Sequence, residues 1–201
     1  MRRAGWGKIA PMQTWMRRYL RLIPALSLAA AGLTGAADAP PPSPVGAAVT
    51  DAIAVVAPTQ GQKAGGTVRF HRQGEGVHVT GELTGLTPNA KHGFHVHEFG
   101  DCSAPDGASA GGHFAPEGHP HGAPDPATHH AGDLGNVEAD AEGHAKVDVT
   151  VPGLTLAAGD RAIVGRAVIV HAQPDDLTSQ PTGNAGARMG CGVVGVAKPG
   201  S

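Results

Sequence analysis

The stretch "GFHVHEFGDC", residues 93–102, combines a β-strand pattern with an unusual set of side chains. In an extended strand, neighbouring side chains point to opposite faces, and side chains two residues apart share a face. His95 and His97 would therefore lie side by side, with Val96 on the other face. Cys102 follows a few residues later. This strand is thus expected to present two adjacent imidazoles close to a cysteine.

Similar short strand patterns occur on both sides of this stretch. Apolar or alternating runs lie at residues 52–58, 67–72, 76–83, 144–151, 162–172 and 190–197. The chain contains 31 glycines and 17 prolines, as is typical of a fold with many turns. The sequence predicts an all-β fold, a Greek-key antiparallel barrel or sandwich of about eight strands.

Two long segments without a strand pattern interrupt this order. The first follows Glu98 and continues to Val137, and the second covers residues 173–187. Loops of such length are uncommon in compact domains and are usually functional. We therefore expect the chemistry of this protein to reside in these two loops.

The N-terminal residues are typical of an export signal. Three arginines at positions 17, 18 and 21 precede the apolar run 22–33, and small residues follow it. This order predicts a signal peptide at residues 1–37, with cleavage near 36–39. An uncleaved membrane anchor is the alternative, although the run is short for a membrane span. The chain would start at Met1 or at Met16.

A linker rich in proline and alanine, residues 38–48, would join the signal to a single domain at residues 49–201. From Pro40 onward the chain has 16 acidic and 9 basic residues. A chain with this excess of acid is not expected to bind nucleic acid. We expect an exported protein of the periplasm or the extracellular space, without membrane contact once the signal is removed.

Two cysteines in an exported chain indicate one disulfide. Cys102 and Cys191 are the two cysteines of the sequence. A bridge between them would close a loop worth about 4–5 kcal/mol on the chain-entropy estimate.

The first long loop is rich in side chains that bind metal ions. It contains His113, His119, His121, His129, His130 and Asp133. The strand before it adds His95 and His97, and His171 ends the run 162–172. Histidines with a carboxylate suit zinc, whereas an all-imidazole set also suits copper. These candidates exceed the needs of one tetrahedral ion, so we expect two metal ions.

Four other histidines have no such context. They are His71, His78, His92 and His144, and we expect them to be solvated surface imidazoles.

From Asp51 to Lys198 the sequence resembles the copper/zinc superoxide dismutase family. The matching stretches are "GFHVHEFGD", "AGGHF", the "HG" at position 121, "HHAGDLGN", "GRAVIVHAQPDD" and "TGNAGARMGCGVVGVA". The β-sandwich architecture of this family agrees with the strand pattern.

The resemblance implies one copper and one zinc ion per chain. Copper would be bound by His95, His97, His113 and His171, and zinc by His113, His121, His130 and Asp133. His113 would bridge the two ions as an imidazolate. His119 and His129 are alternatives to His121 and His130, but the "HG" and "HxGDLGN" contexts favour the latter pair.

The resemblance also assigns roles to residues around the metals. Asp175 would hydrogen-bond the copper ligand His97 and the zinc ligand His121. Arg188 would stand beside copper to meet an anionic substrate, and Thr182 would line the channel. On the residues alone, Asp175 could equally be a turn residue. Arg188 could be a surface base, but the bordering "GNAG" and "GCG" favour a functional role for it.

By the same resemblance, the activity would be dismutation of superoxide to oxygen and hydrogen peroxide. Copper would alternate between Cu(II) and Cu(I), zinc would be structural, and His113 would carry a proton. The second loop is shorter than in animal cytosolic enzymes and lacks their charged guiding stretch. The position of Cys102 is as in bacterial relatives, which favours a secreted bacterial member.

The resemblance further suggests a homodimer, with Gly100, Val164 and Val196 as candidate contacts. These small apolar residues would equally fit an ordinary core. Three rival functions are a copper storage or delivery protein, a zinc hydrolase and a metal-stapled adhesion domain. The presence of all seven proposed ligands and of Arg188 favours the enzyme.

Overall fold

The computed structural model describes residues 49–124, 128–198 and 200. The predicted signal peptide and linker lie outside the described residues. The described strands are β1 (Asp51–Pro58), β2 (Gly65–Gln73), β3 (Gly76–Thr84), β4 (Lys91–His97), β5 (Asp133–Glu138), β6 (Ala145–Pro152), β7 (Ala167–His171), β8 (Arg188–Val193) and the two-residue β9 (Gly195–Val196). A short 3₁₀ turn, Ala108–Ala110, lies in the first long loop.

The strands form one antiparallel sheet with the order β5-β4-β7-β8-β1-β2-β3-β6, and β9 pairs with β1. The outer strands β5 and β6 contact each other, so the sheet curls into a nearly closed barrel. The predicted all-β Greek-key fold is confirmed. Across the described residues, no helix is both long and apolar enough to cross a membrane.

Alternation along β2 and β3 places the barrel core on one face. Val68 and Phe70 of β2 are buried, and Phe70 pairs with the buried Val79 of β3. The alternate residues of β2, Arg69 and His71, face outward. Each fully buried side chain of this size contributes about 1.5–3 kcal/mol relative to an exposed one.

Strands β4 and β7 are buried on both faces. Phe94 and Val96 of β4 lie in the barrel core, whereas His95 and His97 point the other way, where the long loops cover them. The prediction that Val96 and the two histidines lie on opposite faces of the strand is therefore confirmed. β7 pairs with β4 from Phe94↔Val170 to His97↔Ala167, and all five of its residues are buried.

The prediction that His92 is a solvated surface residue is wrong. His92 shares the alternation of Phe94 and Val96, and its side chain is fully buried. Its Nδ1 lies 2.8 Å from the carbonyl oxygen of His171 and donates a hydrogen bond to it. Of the other three histidines, His71 and His144 are exposed and His78 is half-buried.

The first long loop ends earlier than its sequence indicates, because Asp133–Glu138 forms strand β5. β5 pairs with β4, with a register shift between Gly93 and His95. The segment "DLGNVE" has no clear apolar alternation, so its strand character comes from pairing with β4. The strand thereby fixes Asp133 beside His95.

Candidate metal centre

Four histidines converge beneath the first loop, on the face of β4 and β7 that points away from the barrel core. The ring nitrogens of His95, His97, His113 and His171 that face one another all lie within 4.8 Å, and all four residues are buried. The Nε2 atoms of His97 and His171 are 3.3 Å apart. His113 reaches this group because its backbone forms an isolated β-bridge with His97. We call these four residues the all-histidine group.

A second group shares His113 with the first. The ligand atoms of His113, His121, His130 and Asp133 lie within 4.8 Å of one another, and all four residues are buried. Oδ1 of Asp133 is 3.0 Å from Nδ1 of His113, 3.0 Å from Nδ1 of His121 and 3.4 Å from Nδ1 of His130. Tetrahedral ligands at about 2.0–2.1 Å from one ion lie about 3.3 Å apart, so this spacing suits zinc. We call these residues the mixed group.

Three ring nitrogens at these groups are buried without a hydrogen-bond partner in the described structure. They are Nδ1 of His95, Nε2 of His113 and Nδ1 of His130. Leaving a buried polar atom unsatisfied costs about 1–3 kcal/mol. A metal ion at each group would use these atoms as ligands, so the residues present fit two metal ions.

The rival histidines lie outside both groups. His119 is half-buried, and His129 donates from Nδ1 to the carbonyl oxygen of His130, 2.7 Å away. His121 is held by Gln180, whose side-chain amide bonds both the N–H and the carbonyl of His121 at 2.8 Å. The structure therefore brings His121 and His130 together and leaves the two alternatives aside.

The ring nitrogens that face away from the groups are hydrogen-bonded. Nδ1 of His97 donates to the carbonyl of Gly111 at 3.0 Å, and Nδ1 of His171 donates to the carbonyl of Gly186 at 3.1 Å. Such bonds fix the tautomer and the orientation of a ligating imidazole. The inward nitrogens of His97 and His171 are then free of protons.

The predicted bond between Asp175 and His97 is wrong. Oδ2 of Asp175 bonds Nε2 of His95 at 2.7 Å, and Oδ1 bonds Nε2 of His121 at 2.9 Å. His97 is not available to Asp175 because its outward nitrogen already faces Gly111. The expected contact with His121 is present.

Asn136 holds Asp175 in place, a role that was not predicted from the sequence. The amide oxygen of Asn136 accepts from the N–H of Asp175 at 2.7 Å, and its amide nitrogen donates to the carbonyl of Asp175 at 2.9 Å. The asparagine ends the stretch "HHAGDLGN", so the motif that supplies ligands to the mixed group also positions the second loop.

Burial keeps several of these imidazoles neutral. It lowers the pKa of His97 to about 2, of His171 to about 3 and of His113 to about 4. Neutral imidazole is the form that binds metal ions. Burial disfavours the charge of Asp133, but hydrogen bonds from His113 and His121, together with the nearby ring of His130, outweigh burial and lower the pKa of this carboxyl.

His121 behaves differently. Burial alone would lower its pKa, but its hydrogen bonds with Asp133 and Asp175 outweigh this and raise the pKa to about 9. A zinc ion would have to displace this proton from the mixed group.

Arg188 lies beside the all-histidine group. Its Nη1 donates to the carbonyl of Gly107 at 2.6 Å and its Nη2 to the carbonyl of Gly111 at 2.5 Å. Gly111 thus accepts hydrogen bonds from both Arg188 and His97. The charge of Arg188 also contributes to the lowered pKa of His97 and of His171. The guanidinium is half-buried and offers a positive charge next to this group.

Gly111 has a backbone that other residues rarely adopt. Its φ is +76°, and a Cβ there would lie 2.6 Å from Oε2 of Glu98 and 2.7 Å from Cδ2 of Phe99. Glycine is therefore required at the position whose carbonyl joins His97 and Arg188.

The predicted disulfide is confirmed. Cys102 and Cys191 are bonded, with an S–S distance of 2.00 Å. The bridge ties the first loop, which contains Gly107 and Gly111, to β8 three residues after Arg188. Thr182 is half-buried in the second loop, where its carbonyl accepts from the N–H of Ala185 at 3.4 Å.

Comparisons with known proteins agree with this geometry. The model of the family described as copper/zinc superoxide dismutase matches residues 64–194, which include every member of the two groups. A solved structure described as a crystal structure analysis of "the clock protein EA4" is 40% identical to the chain, with a TM-score of 0.67. That match covers 75% of this chain and 96% of the other.

Proposed function

The chain belongs to the copper/zinc superoxide dismutase family, and we propose that its two buried groups catalyse the dismutation of superoxide to oxygen and hydrogen peroxide. The observation that carries this proposal is the sharing of His113 by the two groups. In the reaction one superoxide is oxidised to oxygen, while a second is reduced and takes up two protons.

We assign copper to the all-histidine group and zinc to the mixed group. Imidazole suits both ions, whereas a carboxylate in a tetrahedral set is typical of zinc. Copper, when bound, would supply the one-electron redox chemistry, whereas zinc has none and would be structural. One ion of each kind per chain accounts for all seven side chains.

His113 is the residue that we propose to move a proton. Its Nδ1 faces Asp133 in the mixed group, and its Nε2 faces the all-histidine group. Both nitrogens lose their protons only when a cation stands on each side. Nε2 is therefore the atom at which His113 would hold a proton during one half of the reaction and release it during the other.

Arg188 would attract and orient the substrate anion. Its guanidinium is fixed by two backbone carbonyls, so its charge is already in place when the anion arrives. A local positive charge matters in a net-acidic chain, since fields near a site raise the encounter rate of a small ion. Thr182 is proposed to line the channel through which the anion reaches the all-histidine group.

We also propose that the protein is exported and acts in the periplasm or extracellular space, after removal of residues 1–37 and with residues 49–201 as its domain. The disulfide supports an oxidising compartment. Neither nucleic acid nor membrane is proposed as a partner of the mature chain. A secreted bacterial origin remains part of this proposal.

A homodimer is proposed on the outer face around β8 and β9. Val196, one of the predicted contacts, is exposed, as are Phe99 and Val193. Gly100 and Val164 are half-buried. Sedimentation equilibrium of the loaded chain tests this: a Val196→Glu variant should remain monomeric at concentrations where the wild type associates, and equal masses for both would reject this face.

The function is tested by direct superoxide decay after pulse radiolysis, with the mature chain loaded with copper and zinc. His171→Ala should abolish the decay. His144→Ala, which changes an exposed histidine that belongs to neither group, should leave it unchanged. If the wild type binds both ions but superoxide decays at the rate of buffer, the enzyme proposal fails. Copper storage or delivery would then be the leading account.

A further inference from the structure

Two histidines outside the metal centre face each other directly on the outer side of the barrel. His71 of β2 and His78 of β3 are register partners in the antiparallel ladder. Their neighbours Phe70 and Val79 point into the core, so both imidazoles point outward. Directly opposite residues have Cβ atoms about 4.5–5.5 Å apart, which places the two rings within reach of one ion.

Each imidazole is hydrogen-bonded to a carboxylate on its outer side. Nδ1 of His71 lies 2.9 Å from Oδ1 of Asp51 on β1, and Nε2 of His78 lies 2.8 Å from Oδ1 of Asp148 on β6. In the sheet, β1 flanks β2 and β6 flanks β3. The four side chains thus form a row across four strands, with the acids at the ends and the histidines in the middle.

These bonds determine which ring nitrogens remain free. A carboxylate only accepts, so the proton of each neutral imidazole lies on the nitrogen that faces the acid. Nε2 of His71 and Nδ1 of His78 are then unprotonated. Because the two nitrogens of an imidazole point to nearly opposite sides of the ring, bonds toward β1 and β6 turn the free nitrogens toward the gap between β2 and β3.

A histidine that donates one N–H to a carboxylate and offers its other nitrogen is the usual form of a metal-ligating histidine. We propose that His71 and His78 together bind one divalent transition-metal ion on the barrel surface, with Asp51 and Asp148 orienting the two rings. Imidazole ligands suit copper, nickel and zinc, and copper(II) binds such sites most tightly. Solvent would complete the coordination.

This surface site is separate from the buried centre. The buried groups take their side chains from β4, β5, β7 and the first loop, and neither β2 nor β3 contributes to them. The site would therefore bind an ion while both buried groups are filled.

The test uses the protein with both buried groups loaded, to which copper(II) is added. Calorimetry should show one further ion per chain, and its electron paramagnetic resonance spectrum should show coupling to two nitrogens. His71→Ala and His78→Ala should each weaken this binding at least about 10-fold. The double variant should not bind this ion, because the single imidazole that each single variant keeps is gone as well. His144→Ala is the matched control, since it removes an exposed histidine that has no facing partner.

Asp51→Asn and Asp148→Asn test the orienting role without removing a ligand. Each should weaken binding about 10-fold or more, as for other hydrogen-bond partners of ligating histidines. Unchanged dismutation in all these variants would show that the barrel and its buried centre are intact. The proposal is overturned if copper binding is unchanged in both histidine variants. It is also overturned if the wild type binds two further ions and each single variant loses one while the other keeps its affinity, as two independent single-histidine sites would behave.

Discussion

Asp175 and His95 form a buried pair in which Oδ2 lies 2.7 Å from Nε2, and neither side chain is exposed to solvent. The second oxygen of the same carboxylate bonds Nε2 of His121 at 2.9 Å. One carboxylate therefore bonds an imidazole of the all-histidine group and an imidazole of the mixed group. Removing it is expected to disturb both groups together.

Asp175→Asn should weaken the binding of copper and of zinc, each by about 10–100-fold. The amide cannot accept from both rings, so His95 and His121 lose their fixed orientation. Competition with a chelator measures both affinities. Asp160→Asn, which changes an exposed carboxylate that belongs to neither group, is the control. Equal metal affinities in the two variants would contradict this role.

Arg188→Ala should lower kcat/KM for superoxide about 10-fold or more while leaving the copper and zinc contents unchanged. The reason is that the guanidinium supplies the positive charge near the all-histidine group, and such local fields raise encounter rates. Pulse radiolysis at fixed ionic strength measures the effect. Arg188→Lys should retain part of the rate, and Arg72→Ala, which changes an exposed arginine near the end of β2, should retain all of it. A rate in Arg188→Ala equal to wild type would exclude Arg188 from substrate attraction.

Replacing Cys102 and Cys191 together by alanine should lower the free energy of unfolding by about 4–5 kcal/mol, because the bridge spans 89 residues and restricts the unfolded chain. Urea unfolding of the metal-loaded protein measures this. Wild type in the presence of a reductant should match the double variant. A loss below about 1 kcal/mol would be inconsistent with the chain-entropy estimate.

The stability of the metal-free protein should pass through a maximum near pH 6.5. The pKa of His97 is lowered to about 2 and that of His171 to about 3, whereas an unfolded histidine titrates near 6.5. Between these values the unfolded chain binds more protons, so the free energy of unfolding falls as the pH falls below 6.5. The raised pKa of His121, about 9, acts the other way. Its contribution is fully present below pH 6.5 and is lost as the pH rises through 9.

Urea unfolding of the metal-free protein at pH 5, 6.5 and 9 checks this expectation. His171→Ala should be less sensitive to acid than the wild type, because one of the groups that resist protonation is gone. Stability that rises steadily from pH 6.5 to pH 5 would contradict the assignment of buried neutral imidazoles.

Much of the fold could be predicted because alternation is strong where one strand face is buried. In β3, Val77 and Val79 alternate with His78 and Thr80, and the fold keeps this division. Alternation fails in "DLGNVE", where polar residues and a glycine form β5 only because β4 offers a partner. At His92 alternation with Phe94 and Val96 points to the core face, but the polar ring favours exposure, since the sequence does not show that the ring has the carbonyl of His171 to bond there.

The composition of the two groups could be predicted from the motifs, but the orientation of their rings could not. Asp175 bonds His95 rather than His97 because the outward nitrogen of His97 donates to the carbonyl of Gly111. No sequence pattern predicts such a contact with a loop carbonyl. Similarly, spacing alone does not separate His121 from His119. The contact with Gln180, from the other loop, holds His121 in place.

The carbonyl of Gly111 accepts from Nδ1 of His97 and from Nη2 of Arg188. The His97 ring, a member of the all-histidine group, and the charge of Arg188 therefore both depend on the position of one peptide unit. A shift of residues 108–112 would move the acceptor of both side chains, although Arg188 is held by the carbonyl of Gly107 as well. A substitution that displaces this peptide unit is therefore expected to disturb the all-histidine group and the position of the arginine charge together.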